Sequence, residues 1–141
     1  MIYKVLRFVS HIFNSSNQYS IHSPIVYKLL TECIYKEGKK KLKKNIHFLN
    51  LRLVNHYKKQ FSTYTIENIL SNKVSEILEG YSRKKENTIL LIKNIRLKNE
   101  YSCWKKLIKR KEIQVSIDFY YFGILILKVK KLQKQDYIIR L

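Results

Sequence analysis

The sequence predicts an α/β protein in which N-terminal helices precede a mostly parallel sheet, with right-handed crossovers and an antiparallel C-terminal edge. Three observations carry that expectation. From Phe61 onward, strand-forming segments alternate with amphipathic helical ones, the pattern of a sheet crossed by helices. Thr88 to Ile92 is a continuous apolar run, as expected of a strand covered on both faces. The last third of the chain is rich in β-branched and aromatic residues. At 141 residues and 45% hydrophobic content, the chain makes a single domain over 1–141, helical over 1–60 and sheet-forming over 61–141.

The elements follow in order. Ile2, Val5, Leu6, Val9, Ile12 and Phe13 recur at helical spacing with Lys4, Arg7 and His11 off the stripe, a basic amphipathic helix of a kind that can lie on a membrane surface but more often docks on its own domain or on a second subunit, the reading favoured for this one. After a polar turn at 14–17, Ser23 and Pro24 read as an N-cap and a first helical residue. That helix runs to about Lys36 on a stripe of Ile25, Val26, Leu29, Leu30, Cys33 and Ile34, with Gly38 as its stop. The lysine run at 39–44 repels itself and is a connector or a frayed helix start. Ile46, Leu49, Leu53, Val54 and Tyr57 describe a third helix ending near Lys59. A short strand over 61–66 leads to a helix over 68–79 carrying Ile69, Val74, Ile77 and Leu78, which Gly80 stops. Past the 88–92 strand, a helix over about 100–111 turns Tyr101, Trp104, Leu107 and Ile108 inward and Lys105, Lys106, Lys109 and Arg110 outward. Segments 113–119, 122–129 and 137–141 close the chain as strands.

The charge invites polyanions as partners: 29 basic against 10 acidic residues leave a net +19. Composition tempers the inference. Twenty-three lysines, 19 isoleucines, 11 tyrosines and 10 asparagines, with no alanine, three glycines and one proline, are what A/T-rich coding produces without selection for binding. The longest uncharged apolar stretch, 119–127, is far below the roughly 18–20 residues a membrane span needs. The N-terminus has neither a continuous apolar region nor a small-residue cleavage site, so a cytoplasmic location is expected. Cys33 and Cys103, seventy residues apart, read as reduced packing thiols rather than a disulfide.

Candidate chemistry is sparse. Gly38, Gly80 and Gly123 stand too far apart to form a glycine-rich phosphate loop. His11, His22, His47 and His56 have no metal-ligand spacing with each other or with the cysteines, and each reads as a surface or satisfied histidine. Adjacent His22 and Ser23 serve capping rather than nucleophilic chemistry. Glu67 stands out, because a carboxylate at the C-terminal end of a strand is where α/β proteins hold ribose hydroxyls; a first-turn helix acid is the equally good alternative. Asp118 also ends a strand but has no carboxylate near it in sequence. Basic clusters at 39–44, 83–85, 105–111 and 128–134 lie near Tyr57, Phe61, Tyr64, Tyr120 and Tyr121, residue types that bind phosphate and stack on bases, yet no recognition helix or RNA-binding signature stands out.

The stretch Ile21-His22-Ser23-Pro24-Ile25-Val26-Tyr27-Lys28-Leu29-Leu30-Thr31 resembles the opening helix of a bacterial family of class I S-adenosylmethionine-dependent methyltransferase-like proteins. The C-terminal third resembles the same family at Trp104 and Lys105 through Ile108, at Val115-Ser116-Ile117-Asp118-Phe119, at Gly123-Ile124-Leu125 and at Tyr137-Ile138-Ile139-Arg140-Leu141. Between these anchors, Arg52-Leu53-Val54-Asn55-His56-Tyr57 looks like the helix before the family's first strand, and Tyr64-Thr65-Ile66-Glu67 like the strand with its ribose-binding acid. The resemblance implies a Rossmann-like, seven-stranded, largely parallel sheet, here truncated. No strand with a glycine-rich cofactor loop occurs between Tyr57 and Tyr64, and strands are missing between Gly80 and Thr88. Where the family's strand ends in an acidic pair, Lys93 and Asn94 stand, followed by Ile95, Arg96 and Leu97.

The resemblance thus implies a shortened, degenerate member with no catalytic residue, no metal ligand and Glu67 as the remnant of a cofactor site. No cofactor is expected, S-adenosylmethionine being the one implied if the family function survives. Three readings follow: a small basic scaffold or interaction protein, a methyltransferase completed by a partner subunit, or a nucleic-acid or ribosome-associated binder of weak, non-specific affinity. A sheet short of strands leaves apolar edges, so self-association through an edge or through the N-terminal helix accompanies the first reading.

Overall fold

The structure, a computed structural model, describes residues 24–34, 46–57, 59–84, 86–128 and 134–139. The expected N-terminal helix, the Ser23 cap, the Gly38 stop and the lysine connector at 39–44 lie outside them. Helix α1, Pro24–Leu29, starts on the proline and widens into a π-type turn over Leu30–Ile34. Its stripe is buried as expected at Val26, Leu29, Leu30, Cys33 and Ile34. Helix α2, Ile46–Tyr57, packs beside it, and the Arg52 guanidinium ties the two by donating to the Cys33 carbonyl.

Strand β1, Ser62–Ile66, is followed by a turn rather than by helix. The Asn68 side chain accepts the Leu70 N–H at 2.9 Å and the Asn68 carbonyl accepts the Ser71 N–H at 3.0 Å. This asparagine-built turn competes with helical hydrogen bonding and delays helix α3 to Lys73–Lys84. The expected 68–79 helix is therefore displaced, and Gly80 lies within it rather than ending it. A Cβ at Gly80 would meet nothing within 4 Å. Gly80→Ala is accordingly expected to stabilise the fold by about 0.5–1 kcal/mol, read as a rise in the denaturation midpoint, because alanine loses less backbone entropy in a helix.

Strand β2, Thr88–Lys93, helix α4, Lys98–Leu107, and strands β3, Val115–Asp118, β4, Phe122–Leu127, and β5, Gln135–Ile138, complete the fold. The sheet order is β1-β2-β4-β3-β5, with β1–β2 and β3–β5 parallel and both pairings of β4 antiparallel. Four strands point one way, but the antiparallel strand is central, not at the C-terminal edge as the sequence suggested. The physical reason is burial. Every residue of β4 (FGILIL) is buried, so the strand belongs where helices cover both faces, whereas β5 carries Gln135 and an exposed Asp136 and suits an edge.

Helices cover both faces. On one, Ile89 and Leu91 of β2 and Ile124 and Ile126 of β4 pack with Leu29, Leu30, Leu49 and Leu53 of the N-terminal helices. On the other, Leu90, Ile92, Leu125 and Leu127 pack with Leu78 of α3 and with Trp104 and Leu107 of α4. The alternation along β2 explains why 88–92 reads as an unbroken apolar run. Cys33 is buried and Cys103 half-buried, both as free thiols in these packing roles.

Candidate functional site at the carboxyl end of the sheet

Strands β1, β2 and β3 run in the same direction, β1 beside β2 and β3 across the antiparallel β4, and their last residues and the loops after them gather the polar groups of this end. Glu67 directly follows β1, where the sequence placed it, with an exposed carboxylate. Its Oε1 accepts a hydrogen bond from Lys93 Nζ at 2.9 Å, the last residue of the neighbouring β2. Lys93 thus lies against the acid that the sequence offered as a candidate ribose ligand. Such a pair at the surface contributes little. Lys93→Met is expected to lower unfolding stability by less than about 1 kcal/mol, measured by urea denaturation.

A second pair lies deeper. Asp118, the last residue of β3, accepts from Arg96 Nη2 through Oδ2 at 2.7 Å, and the two side chains are only 7% and 9% exposed. The other carboxylate oxygen, Oδ1, accepts the Tyr120 N–H at 2.8 Å. The guanidinium lies over the Tyr101 ring at 4.2 Å and the Tyr120 ring at 5.1 Å, so two aromatic faces cover a cation that is out of water. Burial pushes the Asp118 carboxyl above the ordinary aspartate value, while the Arg96 charge and the Tyr120 N–H pull it back.

Two backbone features hold this arrangement. Asn94 and Tyr120 both adopt positive φ, 56° and 74°, and the Asn94 N–H donates to the Tyr121 carbonyl at 3.0 Å, joining the loop after β2 to the β3–β4 turn. A left-handed conformation is ordinary for asparagine but strained for tyrosine, and the Asp118–Tyr120 hydrogen bond is what offsets it. Sequence reasoning missed the Arg96–Asp118 pair. Its one available signal was that a strand-ending aspartate in so apolar a sheet needs a cation.

The remaining candidates are placed as follows. His11 and His22 lie outside the described residues, as does the side chain of His47. His56 is satisfied, as expected, by Glu32 at 2.7 Å. Among the described residues no group of three or more histidine, cysteine, aspartate or glutamate side chains could hold a metal ion. No helix there is long and apolar enough to cross a membrane. Of the stacking candidates, Tyr57 and Phe61 are buried core residues meeting edge to face at 5.3 Å, while Tyr64 and Tyr121 are exposed. Lys105, Lys106, Lys109 and Lys111 form an exposed basic row on α4 and the turn after it. Lys134 is not part of such a surface, because its ammonium donates to the carbonyls of Ile108, Arg110 and Ile113 at 2.6, 3.0 and 2.8 Å and caps the end of α4.

Comparison with protein-family models, with curated proteins and with solved structures gives no match.

Proposed function

We propose that this chain is a shortened relative of S-adenosylmethionine-dependent methyltransferases that works without cofactor or catalysis, as a small basic interaction protein. The observation that carries the reading is the pairing of both strand-end carboxylates with cations of the same chain. A ribose is held by a carboxylate that offers its oxygens to two hydroxyls. Here Glu67 Oε1 is bonded to Lys93, and Asp118 spends one oxygen on Arg96 and the other on the Tyr120 N–H. The resemblance at 21–31 and in the C-terminal third supports the ancestry, and a five-stranded mixed sheet with helices on both faces is a broad architecture compatible with it. The test is titration with S-adenosylmethionine, for which no saturable binding is expected.

The working surface in this reading is the basic row Lys105, Lys106, Lys109 and Lys111, which suits an acidic partner. The same row favours a second reading, weak non-specific binding of nucleic acid. Affinity for a single-stranded oligonucleotide that falls steeply with salt and weakens when these lysines are neutralised supports it; absent or salt-insensitive binding ends it. Self-association through an outer strand, β1 or β5, completes the first reading, and a strict monomer by static light scattering removes that part of it.

A further inference from the structure

At the end of the sheet opposite Glu67, Phe61 leads into β1, Asn87 into β2, and Lys128 leaves β4. Between these residues and the N-terminal helices lies a cleft of about 530 Å³, within the range of small-molecule sites. Pro24, Ile25, Tyr57 and Phe61 supply apolar lining. The charged groups are Lys28 of α1, Lys128, and the pair Glu32–His56, whose Oε2 and Nε2 are 2.7 Å apart. Glu32 sits on the π-type turn, a rare local geometry that recurs at functional sites.

The charge balance decides what the cleft accepts. Glu32, the one carboxylate among the described lining residues, is engaged by His56, and among the described residues neither Lys28 nor Lys128 forms an ion pair with an acidic group. Lys28 and Lys128 therefore bring two positive charges to a concavity with an apolar wall. Burial pushes the Tyr57 phenol up, with the Cys33 thiol and the Glu32 charge adding to the effect, so Tyr57 adds no anion to the wall at neutral pH.

We infer that this cleft is a binding site for a small organic anion with a flat apolar body, its acid group met by Lys28 and Lys128 and its body laid against Ile25 and Phe61. The site is independent of the cofactor question, since it lies at the other end of the sheet and uses none of Glu67, Lys93, Arg96 or Asp118.

The test is calorimetric titration of the full chain with 1-naphthyl phosphate, beside inorganic phosphate and neutral 1-naphthalenemethanol. One saturable site is expected for 1-naphthyl phosphate, with each comparator at least about tenfold weaker. The variant K28Q/K128Q should weaken naphthyl phosphate by about tenfold or more, while K105Q/K106Q, which removes the same charge from the α4 surface, should change it by less than about twofold. An unchanged near-ultraviolet spectrum of the single tryptophan, Trp104, shows that each variant is folded. No saturation below about 1 mM, equal binding of either comparator, or equal losses in the two double variants would overturn the assignment.

Discussion

Arg96→Met is expected to be among the most damaging single substitutions in this chain, costing about 3–5 kcal/mol at neutral pH by chemical denaturation. The magnitude reflects what is left behind. Asp118 is 7% exposed and would lose the Arg96 guanidinium bonded to it at 2.7 Å while its desolvation stays. The pH dependence identifies the cause. Asp118 already has a folded-state value above the ordinary 3.8, so the folded state binds its proton more tightly than the unfolded state does. Stability from this group is therefore present below 3.8 and is lost as pH rises through the folded value. Removing the Arg96 charge lifts the folded value further and widens that window upward. The deficit of Arg96→Met relative to the parent should shrink on going from pH 7 to pH 5, and adding Asp118→Asn should recover part of it at pH 7. A deficit that is the same at both pH values and is not relieved by Asp118→Asn would mean that lost packing on Tyr101 and Tyr120 dominates instead.

The second large effect is expected at Gly123. This β4 residue lies opposite Ile92 on one side and Asp118 on the other, with its open face against the indole of Trp104. A Cβ built there would lie 2.3 Å from Cη2 and 2.6 Å from Cζ3 of that ring. Trp104 is 2% exposed and packs from α4 onto the sheet, so the ring can give way only by displacing buried neighbours. Gly123→Ala should cost about 3 kcal/mol, the upper part of the overpacking range, despite alanine's better strand propensity. Combining it with Trp104→Leu should cost less than the sum of the two single changes, because the leucine vacates the space the methyl needs. Strict additivity would place the strain elsewhere in β4.

Much of the fold is legible in the sequence because its elements are local. The apolar run at 88–92, the inward Trp104 and Leu107 of α4, and the proline start of α1 each follow from a pattern within about a dozen residues. The failures have equally definite causes. The Asn68 turn moved α3 toward the C-terminus although Gly80 suggested a stop, since one glycine in a helix costs only about 1 kcal/mol relative to alanine. The strand order escaped a reading by sequence order, although the contrast between all-apolar β4 and polar β5 already separates a central strand from an edge. At the carboxyl end, Glu67 was found from its position after β1. Its pairing with Lys93, 26 residues away, and the Arg96–Asp118 pair, 22 residues apart and reached across β4, depend on the order of the strands in the sheet. The same holds for Glu32 and His56, brought together by the packing of α1 and its π-type turn on α2.

Whether the carboxylates at this end of the sheet serve the chain itself rather than a ribose is decided by calorimetric titration of the purified protein with S-adenosylmethionine and S-adenosylhomocysteine. Fluorescence of Trp104, which packs under α4 against Gly123, is the independent reporter. No saturable heat and no fluorescence change are expected with either compound, in the parent and in Lys93→Met alike. Saturable binding at about micromolar concentration, lost on Glu67→Gln, would contradict that expectation and return the chain to the cofactor-dependent methyltransferases.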